Sequence, residues 1–308
     1  MNMKSGMLAE LWKNRSYYLM AAPGLAVLIA IAYLPYPGMI LAFKNFNPMD
    51  GIYGSPWAGF ENFKFFLDNG DFLRITMNTL WINFNYILWG TILAVVFALM
   101  LNELKNRLMK KLFQSIMFIP YFFSFAIVGK LVLLLFSNDH GLVNELIQAS
   151  NGNAIQWYTD PEHWVKIIVS TNIWKNVGYT VIIYLAVITG IDEEMLEAAS
   201  LDGASRLQKI RYILIPNLIP TIIILTLMSI GRIFFGDFAL IYAIVENNGL
   251  LYETTDVIDT YIYRSMITGG GEYGMMTAVG LCQSVVGFIV VLGSNWLVKK
   301  YDKDSSLF

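Results

Sequence analysis

The sequence predicts an all-α polytopic membrane protein with six transmembrane helices, and three observations carry that reading. Of 308 residues, 56% are hydrophobic and only 14% charged, with a mean hydropathy of +0.54, whereas soluble domains carry about a quarter charged residues. Six stretches of roughly twenty or more mostly apolar residues have the length that crosses a ~30 Å hydrocarbon core. Lys and Arg, finally, sort into alternate loops. A transmembrane β-barrel would instead show ten-residue segments of alternating polarity. Neither an internal repeat nor a low-complexity tract is evident.

The elements follow in order. A short segment, 1–16, precedes a first span at 17–43. Its apolar run is too long for the core of a signal peptide and contains Pro23, Pro35 and Pro37. No small-residue cleavage pattern follows it, so the span is expected to stay in the mature chain. Residues 44–75 are rich in Gly, Pro, Asn and aromatics (Phe46-Asn47-Pro48, Gly54-Ser55-Pro56-Trp57) and read as turns on the membrane surface, with Trp57, Phe60, Phe63 and Phe65 as interfacial anchors. The second and third spans are expected at 78–101 and 113–136, the fourth at 164–189, the fifth at 212–245 and the sixth at 276–298, before a tail at 299–308. The intervening segments 137–163 and 246–275 are acidic and turn-rich, the latter holding Gly269-Gly270-Gly271, read as a flexible turn.

Lys4, Lys13, Arg15, Lys105, Arg107, Lys110, Lys111, Arg206, Lys209, Arg211, Lys299, Lys300 and Lys303 fall on one side of these spans. Lys44, Lys64, Arg74 and Arg264 fall on the other, and Lys130, Lys166, Lys175 and Arg232 inside. The positive-inside rule then puts both termini in the cytoplasm. The single Cys282 has no intrachain disulfide partner. His140 and His163 are more than twenty residues apart, which argues against a paired metal site and a zinc enzyme.

Between the fourth and fifth spans, residues 191–211 form a connector on the Lys/Arg-rich side. Asp192 is a good N-cap, Glu193 and Glu194 suit the first turn of a helix, and Gly203 permits a sharp turn into a second short helix before Pro216. A helix–turn–helix bracket is expected. Leu196, Ala199 and Ser200 share one face at i, i+3 and i+4, a knob able to seat in a partner's cleft, though spacing alone fits a solvated amphipathic connector equally well.

Glu197-Ala198-Ala199, then Gly203 after three residues, and Ile213 and Ile215-Pro216 further on, resemble the EAA loop of ATP-binding-cassette (ABC) importer permeases. Ile215 stands where that pattern usually has Leu. The resemblance runs over nearly the whole chain and is closest to sugar-type, maltose-permease-like members importing complex oligosaccharides. Pro35-Tyr36-Pro37-Gly38, Trp57-Ala58-Gly59-Phe60, Ile173-Trp174-Lys175-Asn176-Val177-Gly178-Tyr179 and Val257-Ile258-Asp259-Thr260-Tyr261 carry it.

It implies the type I importer permease fold in a bacterial cytoplasmic membrane. The implied partners are a second homologous permease, an ABC ATPase dimer, an extracytoplasmic solute-binding protein and a saccharide substrate. It also implies a coupling role for Leu196, Glu197, Ala198, Ala199, Asp202, Gly203 and Arg206, with Leu196 and Ala199 touching the ATPase. The chain has no Gly-x-x-x-x-Gly-Lys-Ser/Thr loop, so ATP and its Mg are expected to bind the partner ATPase, and no cofactor is assigned to this chain.

Polar groups inside a membrane are costly unless they face protein or water. Asn172, Lys175, Asn176 and Tyr179 recur at i, i+3, i+4 and i+7, a single helical face that suggests a wet cavity or, alternatively, interhelical hydrogen bonds that glue the bundle. The fifth span adds Phe234 and Asp237, with Arg232 beside them. An aromatic ring can stack on a pyranose while a carboxylate and amides bind its hydroxyls. Asp237 could also neutralise Lys175, Lys130 or Arg232. In the maltose permease, the counterparts of the fourth-span face and of Phe234 and Asp237 contact sugar. Four cations against one anion within the spans raise the idea of an acidic saccharide, with Lys130, Lys175 or Arg232 meeting uronate carboxylates. Asn78, Trp81 and Asn85 read as bundle packing.

Other function classes find less support. Gly236-Asp237 is half of a Gly-x-Gly-Asp protease motif, but residue 234 is Phe, and the only Tyr-Asp is Tyr301-Asp302 in the tail. No His-Glu-x-x-His or Gly-x-Ser-x-Gly occurs. A permease for a peptide or amino acid, or a non-transporting receptor or scaffold, are the remaining alternatives.

Overall fold

The computed structural model describes residues 10, 12–68, 70–268 and 272–301. Lys4, Lys303, Asp302 and Gly269-Gly270-Gly271 lie outside them, as does the side chain of Phe65. Contacts divide the chain into two compact units, one of residues 1–66 with 272–281 and one of 67–271 with 282–308.

The first unit begins with helix α1, Arg15–Leu28, which runs into a π-turn at Ile29–Tyr33 and a 3-10 stretch at Tyr36–Phe43. Pro23 lies inside α1, and none of the α1 side chains is buried. Residues 44–68 are more ordered than a run of surface turns. Short helix α2, Gly51–Gly54, and helix α3, Glu61–Asp68, bracket a bridge between Lys44 and Trp57. The reason is local satisfaction of polar groups: the Lys44 ammonium donates to the Tyr53 carbonyl at 2.7 Å and lies over the Trp57 ring. Asn62 Nδ2 donates to the carbonyls of Ala42 and Lys44, both at 3.0 Å. Phe43, Phe60 and Phe63 form an aromatic cluster beside it.

The second unit is built on α4, Phe72–Glu103, and α8, Trp164–Thr189. The second span therefore starts six residues before the expected position 78. Two apolar clusters sit at opposite ends of this pair. One gathers Ile82, Trp164 and Ile168 with Val128, Leu240 and Ile241, the other Ala94, Ala98, Val181 and Tyr184 with Leu214 and Leu218. Between apolar helices in lipid, close packing and hydrogen bonds replace the hydrophobic drive. Gly178 shows how close: a Cβ there would lie 2.0 Å from the Met117 carbonyl oxygen.

The third span is not one helix. Helix α5, Arg107–Phe118, passes through a 3-10 turn at Ile119–Phe122, and α6, Phe125–Phe136, leaves at 102°. Pro120 removes a ladder donor, and the Ser124 hydroxyl accepts from the Ile127 N–H to start α6. Helix α7, Leu142–Ala149, lies in the acidic segment that follows.

The expected fifth span, 212–245, is also interrupted. Arg206–Lys209 (α10), a π-turn at Ile210–Leu214 and α11, Ile215–Ile230, form its first part, and a separate helix α12, Phe238–Val245, its second. Beyond it, α13, Tyr252–Thr255, and α14, Ile258–Thr268, give the outer segment 246–275 far more helix than its turn-rich composition suggests. Helix α15, Tyr273–Tyr301, is the last span.

Candidate functional site

The break between α11 and α12 leaves residues 231–237 without a helical ladder, and backbone at membrane depth must find other partners. Three side chains from distant elements supply them. Asn83 of α4 donates to the carbonyls of Ile233 (2.9 Å) and Phe235 (3.0 Å). The Asp259 carboxylate accepts the Gly236 N–H at 2.6 Å, and Gln283 of α15 donates to the Phe234 carbonyl and, at 3.0 Å, to Asp259. Burial pushes the Asp259 carboxyl above its usual range, against these hydrogen bonds, which favour the ion. Asp237 then caps α12 by accepting from the Leu240 N–H at 3.3 Å.

Its other oxygen, Oδ2, accepts from Asn172 Nδ2 at 3.1 Å, joining α8 to the break. Among the described residues Asp237 is in no ion pair within 4.0 Å, though the Arg232 and Lys175 charges lie near enough to act on it; its direct partners are hydrogen-bond donors. Asn172, Asn176, Tyr179 and Arg232 line one cavity of about 350 Å³ with Tyr86 and Ser229. Tyr179 stacks on Tyr121 with ring centroids 5.1 Å apart. The sequence pattern thus places three of its four fourth-span residues together with Arg232.

Lys175 has a different surrounding. It is only 5% exposed, and its ammonium donates to the carbonyls of Tyr121 (2.8 Å) and Phe123 (2.7 Å), with the Tyr121 and Phe125 rings beneath it. It holds the bend of the third span instead of lining the cavity. Phe234 is half-buried within the break and is not on the cavity wall, while Lys130 lines a separate pocket beside α12. Asn78 does pack, donating to the carbonyls of Glu253 and Asp256. Trp81 and Asn85 instead line an open apolar groove with Trp174. Asn83, Asp259 and Gln283 were not singled out by the sequence reading as supports of the break.

The connector 191–211 forms the expected bracket. The Asp192 side chain caps α9, Glu193–Leu201, by accepting from the Glu194 N–H at 3.0 Å. At the other end the Gly203 N–H donates to Ser200 and the Ala204 N–H to Ala199, a Schellman motif whose left-handed residue is Gly203 at φ +78°. Ser205 and Gln208 form a capping box that starts α10. Glu197, Ala198, Asp202 and Arg206 are exposed, and Arg206 lies 3.9 Å from Glu103. Leu196 packs partly against the chain's own Tyr184 cluster, and both it and Ala199 are half-buried. Leu201, at 89% exposed, Leu207, at 77%, and Met195, at 47%, are the large apolar groups that the bracket presents.

A family model described as "Binding-protein-dependent transport system inner membrane component" matches residues 87–303. The chain belongs to this family. The permease is 36% identical over 297 residues to Protein LplB of Bacillus subtilis (strain 168), covering 96% of this chain and 92% of that protein. It is 33% identical over 304 residues to the polygalacturonan/rhamnogalacturonan transport system permease protein YteP of the same organism, with 97% and 92% covered. A chain of a bacterial alginate ABC transporter, solved in complex with an alginate pentasaccharide-bound periplasmic protein, superposes with a TM-score of 0.87. That match is at 32% identity and covers 96% of this chain and 98% of that one. The permease thus has the all-α type I ABC importer fold, is a multi-pass inner-membrane component, and is a transport subunit, not a catalytic one.

Proposed function

We propose that this permease forms half of the path of an ATP-driven, binding-protein-dependent importer of oligosaccharides, and that those oligosaccharides are acidic. The observation that carries the reading is the cavity beside the broken fifth span, which Asn172, Asn176, Tyr179 and Arg232 line together. Discontinuous helices with polar side chains at mid-membrane are how many transporter folds build a substrate site, and about 350 Å³ lies within the range of small-ligand pockets. The amides of Asn172 and Asn176 suit sugar hydroxyls, the Tyr179 ring suits a pyranose face, and Asp237 orients Asn172. Phe234 borders the same break.

Support for an acidic substrate comes from two sides. The relatives named for polygalacturonan/rhamnogalacturonan transport and for alginate handle uronate-rich chains. Within the cavity, Arg232 is in no ion pair within 4.0 Å among the described residues, and it can turn from the nearby Asp237 and Asp259 charges to a uronate; Lys175 is committed to two carbonyls.

The bracket at 191–211 supplies the coupling. In this reading both termini are cytoplasmic, an ATPase dimer grips α9 and Gly203 from the cytoplasm, and Leu201 and Leu207 enter its cleft. Closure of that dimer on ATP, with Mg bound there, tilts the spans and turns the cavity inward. A second permease completes the path, and a solute-binding protein loads it from outside. Reconstitution with those partners in proteoliposomes tests this. ATP-dependent uptake of oligogalacturonates is expected to exceed that of neutral oligosaccharides, and Arg232→Gln is expected to narrow the difference about tenfold, the worth of one charge-assisted contact. Equal or better uptake of the neutral set by the wild type would refute the acidic assignment.

A further inference from the structure

A second polar pocket, of about 430 Å³, lies at the C-terminal end of α12. Gly129, Lys130 and Leu133 of α6 form one wall, and Ala243 to Asn248 with Tyr158 form the other. Its frame is fixed. Asn248 Nδ2 donates to the Tyr158 carbonyl at 2.7 Å, the Tyr158 hydroxyl donates to the Ile244 carbonyl at 3.3 Å, and the Tyr158 ring packs on the buried Trp164. Burial and the nearby Glu246 charge push the Tyr158 hydroxyl up to about 12, so it stays a neutral donor.

Two charged groups face this frame unpaired. Lys130 and Glu246 line the same pocket, yet among the described residues neither is in an ion pair within 4.0 Å or a side-chain hydrogen bond. The backbone at Glu246 is also unusual, with φ 52° and ψ −132°, a region that glycine occupies with far less steric strain. A glutamate is thus held where glycine would relax the chain, at an exposed position on the pocket's wall.

We propose that this pocket is an outer saccharide subsite, in which Glu246 accepts hydroxyl hydrogens, and Lys130 with the Asn247 amide donates to hydroxyl or carboxylate oxygens, at the trailing end of the oligosaccharide. The proposal rests on the transport reading above. Helix α12 separates the two stations: Asp237 caps its start and the pocket closes its end, eight residues or about 12 Å away at 1.5 Å per residue. Only a substrate of several sugar units reaches both, which gives the permease a way to favour long chains.

The test uses the complete reconstituted transporter and a di-, tri-, tetra- and pentagalacturonate series. For Lys130→Met and Glu246→Gly, KM is expected to rise progressively with chain length, by about tenfold for the pentamer. Glu246→Gly is expected to unfold at a temperature no lower than the wild type, because it relieves the backbone, so its KM effect is not a folding defect. A KM unchanged in both variants, or a rise of equal size at every length, would overturn the subsite. A wild-type transporter that imports none of the series would instead overturn the transport reading beneath it.

Discussion

Replacing Lys175 by Met separates two roles for a residue that helical phase alone puts on the path. The ammonium makes two charge-assisted hydrogen bonds, at 2.8 Å to Tyr121 and 2.7 Å to Phe123, from a site only 5% exposed. Such bonds are each worth about 1.5–3 kcal/mol. Methionine keeps the stem but leaves the Tyr121 and Phe123 carbonyls without their donor, at about 1–3 kcal/mol for each. The loss is about 2–6 kcal/mol, or on the order of 4–24 °C in unfolding temperature at 2–4 °C per kcal/mol. Thermal unfolding of the purified complex in nanodiscs, followed beside binding-protein-stimulated ATPase activity, reads both quantities. A bend clamp predicts a lowered unfolding temperature whether or not substrate is present. An unshifted unfolding temperature with lost substrate stimulation would refute the clamp and return Lys175 to the cavity wall.

Three further outcomes follow from the geometry. Gly178→Ala places a Cβ 2.0 Å from the Met117 carbonyl and must separate α5 from α8, with a loss of about 1–3 kcal/mol visible as lower yield of assembled complex. Gly203→Pro removes the N–H bonded to Ser200 and forbids φ +78°, so it is expected to abolish uptake and ATPase co-purification while leaving membrane insertion intact, as is Glu197→Lys; fractionation and pull-down check this. Arg264→Met removes the two short bonds to the buried Asp256 carboxylate, at 2.9 and 2.6 Å, and leaves it the Thr260 hydroxyl at 2.9 Å and Arg74 at 3.8 Å; it is expected to cost about 1.5–3 kcal/mol, measured by the same unfolding assay.

What was legible in the sequence is what local or periodic physics determines. Long apolar runs mark the spans because lipid fixes their length. Asp192 and Gly203 announce the bracket because a cap and a left-handed turn depend on a few adjacent residues. The phase of Asn172, Asn176 and Tyr179 gives a shared face, but phase does not say what stands opposite; the same stripe sends Lys175 to the carbonyls of a bent third span. The interruption at 231–237 was hidden for a related reason. Ile233, Phe234 and Phe235 continue the apolar run between Gly231 and Gly236, while the groups that make the break tolerable, Asn83, Asp259 and Gln283, lie far away along the chain. Spacing puts Leu196 on the bracket's knob but does not say that it also packs partly against the Tyr184 cluster, with Met195, Leu201 and Leu207 more exposed.

The supports of that interruption also set an order of assembly. Asn83 enters the membrane before the fifth span, whereas Asp259 and Gln283 are synthesised after it, the last of them on the final helix. Until α15 has inserted, the nascent fifth span carries a Phe234 carbonyl that lacks the donor that Gln283 supplies. It must therefore wait in a sheltered environment, such as the lateral gate of the insertion machinery, instead of partitioning freely into lipid. A chain that ends before Gln283 would leave the Phe234 carbonyl without that donor and the Asp259 carboxylate without one of its own, so the last helix is the piece that completes the support of the break.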